Sequence, residues 1–440
     1  MALRITTWNV NGIRNPFAHP PWRDRRAFDA MFAVLDADVV VMQELKIQAK
    51  DLRDDMVLVP GWDCFFSLPK HKKGYSGVAI YTRQASCAPI RAEEGLLGVL
   101  TPPGASRPYR ELPPAQSIGG YPTAAQTEAL GADPAQLDAE GRCVAVEFPA
   151  FVLLGVYAPA NSNGLRDGFR HGFLRALDAR VRNLARAGKN VVLAGDLNVA
   201  RAEVDTARAA EMLRKEGLTH DGYMASPNRR LFNQLLEGGE VAGERDAGRE
   251  DAVLWDVVRD GFHPGRRGMF THWEQKINAR PGNFGSRIDY VLSSVAMKDW
   301  WADANIQEGL MVGIPRVVHT RFATPALRAW LTRPSFSGLR PLPRLRRPEA
   351  SRHLQRRAAA PSRHHEPARH VRGRGAPSRL VPKGHAFAFR PLAARVRPAA
   401  QHQGHVSKAA LGFERGADRS SSPARAHGER RGPQRRERRV

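Results

Sequence analysis

"VVLAGDLN", residues 191–198, is an apolar run that stops on a carboxylate and an amide. A strand buried on both faces needs such an uncharged run and tolerates an acid only at its end. Gly195 permits close backbone approach immediately before Asp196. Asp196 and Asn198 are two apart, so on an extended chain they point the same way. A carboxylate beside a neutral amide can orient a nucleophile and also donate to a phosphoryl oxygen, as phosphate chemistry requires. A plain strand-to-turn cap would use the same residues, so the run needs company.

It has company. "LRITTWNV" (3–10) reaches Asn9, "ADVVVMQE" (37–44) reaches Glu44, "FVLLGVYAPA" (151–160) carries Tyr157, and "RIDYVLSS" (287–294) places Asp289 near its start. Any one of these alone is an ordinary strand-end residue. Together they offer several hard oxygen ligands at one end of a sheet structure, a set that suits Mg²⁺, with Mn²⁺ as its substitute, and not zinc or a haem. "SGVAIYTR" (76–83) and "RCVAVEFP" (142–149) read as further buried strands.

Helical spacing lies between them. Phe28, Met31, Phe32 and Leu35 share one helical face, and Phe169, Phe173, Leu177, Val181 and Leu184 mark a longer helix. Ser226-Pro227 is a helix start. The expected fold class is α/β: two stacked mixed β-sheets covered by helices, one domain over residues 1–311. A parallel doubly wound sheet is the competitor, weakened by strands such as 143–148 and 151–158 that follow each other without a helix. Residues 101–140 hold seven prolines and no sustained periodicity. They read as a long surface insertion that could not pack a core.

Composition splits the chain at Met311. Residues 312–440 contain 30 Lys+Arg and 6 Asp+Glu; subtracting from totals of 68 and 44 leaves 38 of each sign for residues 1–311. The net charge of +24 therefore belongs to the tail. Three scattered cysteines, Cys64, Cys87 and Cys143, argue against a disulfide scaffold and fit a reducing compartment. The start, "MALRITTWNV", lacks a secretory pattern, and no apolar run approaches the ~18 residues of a membrane span.

"TTWNVNGIR", "VVVMQELKI", "GYSGVAIY", "GVYAPAN", "VVLAGDLNVA" and "GSRIDYVLSS" occur in the order and approximate spacing of the endonuclease/exonuclease/phosphatase superfamily. Within it residues 1–311 resemble the exonuclease III-like apurinic/apyrimidinic (AP) endonucleases, and the insertion with "WADANIQEGLM" is similar to the second eukaryotic type. The resemblance implies a four-layer, DNase I-like sandwich. It also implies Mg²⁺-dependent hydrolysis of DNA phosphodiesters at abasic sites, with trimming of blocked 3′ ends, in base-excision repair. Carried over, Glu44 would bind the metal with Asn9 beside it, and Asp196 would activate water or serve the leaving oxygen. Asn198 would steady the phosphoryl group, Tyr157 would supply a phenol to the phosphate, and Asp289 would support the site. Trp273 would line the abasic-sugar pocket, and Arg287 would lie near the DNA. The partner would be double-stranded DNA, the protein a monomer, and its compartment the nucleus.

The family continues from "NIQEGLM" into Gly-Ser-Asp-His-x-Pro, whereas this chain continues "VGIPRVVHT". The catalytic Asp-His pair is missing. His319, eight positions past Met311, is the nearest candidate substitute, and a chance His in a His-rich tail is the plainer reading. The closing strand should follow the same motif; "VVHTRFATPALRAWL", broken by Pro325, makes it missing or replaced. The tail then reads either as translated non-coding or shifted-frame DNA, or as a disordered basic arm for DNA phosphates. It shows neither a Cys-based zinc finger nor a clamp-binding peptide. Two further readings stay open: a catalytically silent DNA-binding protein on the same scaffold, and a phosphatase of inositol or lipid headgroups.

Overall fold

The computed structural model describes residues 3–161, 164–307 and 317–322. Fourteen strands appear among them. They are β1 Arg4–Asn9, β2 Val39–Gln43, β3 Trp62–Ser67, β4 Val78–Arg83, β5 Arg91–Glu94, β6 Cys143–Glu147, β7 Val152–Tyr157 and β8 Val191–Asp196. The chain then adds β9 Leu254–Asp256, β10 His272–Trp273, β11 Gly285–Ser286, β12 Asp289–Ser294, β13 Trp301–Gln307 and β14 Val317–Phe322.

Two six-stranded sheets run in the orders β13-β14-β1-β2-β4-β3 and β5-β6-β7-β8-β12-β9. Each is antiparallel except for one central pair, β1 with β2 and β7 with β8. Both sheets are therefore mixed, and the doubly wound alternative is excluded. Ile5, Val41 and Ile80 of one sheet meet Leu153, Val192 and Val291 of the other in a shared apolar cluster. The opposite faces are covered by the expected helices, Phe28–Leu35 over the first sheet and Asp167–Arg186 over the second. Four layers result. Gly155 lies at a close approach of the two sheets: a Cβ there would come within 2.8 Å of Val41.

The two parallel pairs position the site. Parallel neighbours end on the same edge, so β1, β2, β7 and β8 deliver their C-terminal residues together, and antiparallel β12 begins at that edge.

Two expectations need correction. The 101–140 insertion does pack a core: Ile118, Leu130 and Leu137 lie in the cluster under the Asp167–Arg186 helix. Short helices, Ala124–Glu128 and Pro134–Ala139, start on Thr123 and Asp133 caps. The buried Asp138 carboxylate accepts from the amides of Leu96, Leu97 and Val99. Side-chain caps replace the missing periodicity.

The sheet also has a strand past Met311. Val317–Phe322 lies between β1 and β13, antiparallel to both. Val318, Thr320 and Phe322 turn inward, with Phe322 stacked 4.1 Å from Trp301. Met311 itself, the continuation where Asp-His would stand, and residues 323–440 lie outside the described residues.

The expected helix start at Ser226-Pro227 is observed: Pro227–Leu235 opens with Ser226 at the cap position, although the Ser226 side chain makes no cap bond. Its hydroxyl instead accepts from Arg229. Among the described residues no helix is long and apolar enough to cross a membrane.

Candidate active site

Asn9, Tyr157, Asp196 and Asp289 converge where the strand ends meet, with Glu44 one residue beyond β2. Asn9 Nδ2 donates to Asp196 Oδ2 at 2.9 Å, a bond that crosses from one sheet to the other. Asp196 Oδ1 accepts from the Asn198 amide at 2.9 Å. Tyr157 and Asp289 are the ladder partners of Asp196 on its two sides. Gly195 makes this crowding feasible: at φ +147° a Cβ would stand 1.9 Å from the Val156 carbonyl oxygen.

Asp196 and Asn198 are neighbours for a different reason than extended spacing. β8 ends at Asp196, and Asn198 sits in the left-handed region at φ +52°, so a side-chain-to-backbone turn joins them. Asn198 Nδ2 donates to Ala158 O at 2.8 Å, which fixes the amide plane. Glu44 is also left-handed, at φ +59°, a costly conformation for a non-glycine residue at a ligand-facing position. Its Oε1 pairs with Lys46 at 3.1 Å, and Lys46 also donates to Asn11.

The electrostatics are those of crowded acids. Burial, opposed by the Asn9 and Asn198 hydrogen bonds and reinforced by Glu44, pushes Asp196 up to about 7. Asp289 is held well above the ordinary carboxyl range by burial, then by the charges of Asp196 and Glu44. Burial and the same two acids keep the Tyr157 phenol protonated. Among the described residues both Asp289 carboxylate oxygens are buried and lack a hydrogen bond of good geometry, with the Thr271 side chain beside them; the Asp289 amide donates to Thr271 Oγ1 at 3.2 Å. Two buried oxygens so placed call for a cation or a proton.

The donor set fits a hard divalent cation on that ground. Among the described residues no three His, Cys, Asp or Glu side chains form a closed ligand group. A cation here would therefore share amide oxygens and water with the acids, as Mg²⁺ does.

The two predicted substrate residues are both buried. Arg287 is 1% exposed, and its guanidinium is bonded to Asp205 and Asp256. Trp273 is buried with Phe270 and Ala279, packed against the β10–β11 hairpin as part of a small core. His319 is the ladder partner of Thr6 and Asn305 and alternates with the inward Val318 and Thr320. It therefore lies on the far face of the sheet from the Asn9–Asp196 bond, 4.0 Å from Asp303.

One neighbour gave no signal in the sequence. Arg142, buried just before β6, lies over the Tyr157 ring at 5.1 Å and donates to Tyr157 O at 3.1 Å. Glu140 holds it at 2.7 Å. An arginine preceding an apolar strand is too ordinary a pattern to single out.

Residues 6–364 match the Endonuclease/Exonuclease/phosphatase family. The chain is 35% identical over 310 residues to DNA-(apurinic or apyrimidinic site) endonuclease 2 of Schizosaccharomyces pombe, covering 70% of this chain and 56% of that protein. The human protein of the same name is 29% identical, over 66% of this chain and 54% of its own length. The chain thus spans little more than half of these relatives. The Xenopus laevis APE2 catalytic domain superposes with a TM-score of 0.58 at 26% identity, covering 73% of this chain and 91% of that one. The Leishmania major AP endonuclease LMAP, at 20% identity and a TM-score of 0.54, shares the fold. By its motifs, its paired mixed sheets and this match, the chain belongs to the Endonuclease/Exonuclease/phosphatase family.

Proposed function

We propose that the chain is a divalent-metal-dependent DNA phosphodiesterase that hydrolyses at abasic sites and trims 3′ ends in base-excision repair, a nuclear protein acting as a monomer. The observation that carries this reading is the Asp196 carboxylate, fixed between Asn9 and Asn198 and opposed by the buried Asp289. The relatives' name supports DNA with abasic sites as the substrate class.

Glu44, Asp196, Asn9 and Asn198 would hold the cation, with Asp289 adjoining. When bound, Mg²⁺ supplies charge neutralisation at the phosphoryl oxygens and acidifies water. Asp196 can take a proton from the attacking water at Oδ1 or Oδ2. The protonated Tyr157 phenol can donate to a phosphoryl oxygen. Asn198, locked by Ala158, can hold that group in place. With no Asp-His after Met311, one positioned acid–base group is missing, and such a loss commonly costs ~10²–10⁴-fold in rate.

Cleavage of an abasic-site duplex in Mg²⁺, compared with Asp196→Asn, tests the reading. A chain that binds the duplex but shows no metal-dependent cleavage would instead be the catalytically silent DNA binder.

A further inference from the structure

Arg287 was expected beside DNA and is instead the centre of a buried ionic cage. Its Nε and Nη2 grip Asp205 at 2.8 and 3.1 Å, and Nη2 also donates to Asp256 at 2.7 Å. Asp205 and Asp256 are both 0% exposed. The backbone is tied in as well, since Arg287 N donates to Asp205 O at 2.8 Å. Arg201 and Arg259 complete the cage from outside: Arg201 forks onto Asp260 and reaches Asp256, and Arg259 pairs with Asp205.

The elements that the cage joins are those that carry the site. Asp205 belongs to the loop that follows Asn198. Asp256 ends β9, the neighbour of β12. Arg287 itself is two residues before Asp289. The Tyr290 hydroxyl adds a strut, hydrogen-bonded to Val199 O at 2.8 Å and Arg287 O at 2.9 Å, while the Arg201 amide donates to it at 3.1 Å. The Asn198 loop and the start of β12 are therefore locked to each other through one guanidinium.

We propose that Arg287 is a positioning residue: clamped between Asp205 and Asp256, it fixes where β12 begins and so sets the Asp289 carboxylate against Asp196 and Asn198. The proposal rests on the hydrolytic reading of that site. A planar fork holds two carboxylates in one fixed geometry, which a lysine ammonium, a flexible point charge, does not impose.

The test uses the full chain, with Mn²⁺ as the probe. Arg287→Lys, Asp289→Asn and the double variant are compared by calorimetric Mn²⁺ titration, thermal melting and abasic-duplex cleavage. Losing an outer partner that helps to order the ligands commonly weakens metal affinity by ~10–100-fold. The expected result is such a loss in folded Arg287→Lys, with kcat falling and KM for DNA unchanged. The double variant should be no worse than Asp289→Asn alone, because Arg287 acts through Asp289. A folded Arg287→Lys that binds Mn²⁺ like the wild type overturns the proposal, as do losses that multiply in the double variant. Should Arg287→Lys fail to fold, Asp256→Asn weakens the 2.7 Å arm, together with the Arg201 and Arg259 contacts to the same carboxylate, and carries the same expectations. A wild-type chain that neither binds Mn²⁺ nor cleaves DNA refutes the hydrolytic reading itself, and the proposal falls with it.

Discussion

Asp196 and Asp289 occupy directly paired positions of the β8–β12 ladder, so two buried carboxylates share one face of the sheet at the site edge. Asp196 is satisfied by Asn9 and Asn198, whereas among the described residues the Asp289 oxygens lack a hydrogen bond of good geometry, with the Thr271 side chain beside them. Two acids in such contact cannot both carry charge without a cation nearby.

This arrangement gives stability a pH dependence of definite sign. Asp196 titrates at about 7 in the folded chain, and Asp289 is raised in the same direction. The folded state holds these protons more tightly than the unfolded chain does. The stabilisation is complete at low pH, below the ordinary Asp range of about 4, and is lost as pH rises through about 7. Without divalent ions the melting temperature should fall between about pH 5 and about pH 8, and Mg²⁺ should restore more of it at the higher pH. Calorimetry on wild type and Asp289→Asn checks this; equal Mg²⁺ shifts at both pH values would count against it.

Asp196→Asn should cost about 10²–10⁴-fold in kcat, because the amide loses the proton acceptor. Glu44→Gln should act mainly on metal affinity. Single-turnover cleavage over a range of Mg²⁺ concentrations separates the two effects.

β14 is a core strand. Phe322 packs between Trp301, at 4.1 Å, and Phe151, at 5.6 Å. Phe322→Ala should lower stability by about 3–5 kcal/mol in urea unfolding. His319→Ala, on the outward face, should leave cleavage unchanged. A loss of cleavage comparable to that of Asp196→Asn would mean that this His reaches the site by a route the described residues do not show.

Asp138→Ala should loosen the 101–140 insertion, since three amides, two of them buried, lose their acceptor. A cost of about 1–3 kcal/mol is expected, read as faster hydrogen exchange at Leu96, Leu97 and Val99.

Where a strand is buried on both faces, its apolar run and polar exit are visible in sequence, and that made Asn9, Glu44, Tyr157, Asp196 and Asp289 legible. The helices at 28–35 and 167–186 were legible by their spacing. The insertion was not, because single apolar residues and side-chain caps hold it. Arg287 was not either: its partners, Asp205 and Asp256, lie 82 and 31 positions away in the chain. β14 did carry a signal. Val318, Thr320 and Phe322 alternate with His319 and Arg321, a two-residue period masked by the basic composition and by Pro325 just beyond.

The most direct test is cleavage of an abasic-site duplex by the full chain in Mg²⁺ and in EDTA, beside a chimera in which Gly-Ser-Asp-His follows Met311. The account predicts Mg²⁺-dependent cleavage by both, lost in Asp196→Asn, with the chimera faster by about 10²–10⁴-fold. Equal rates would contradict the assigned impairment, and absence of metal-dependent cleavage from both would contradict the function itself.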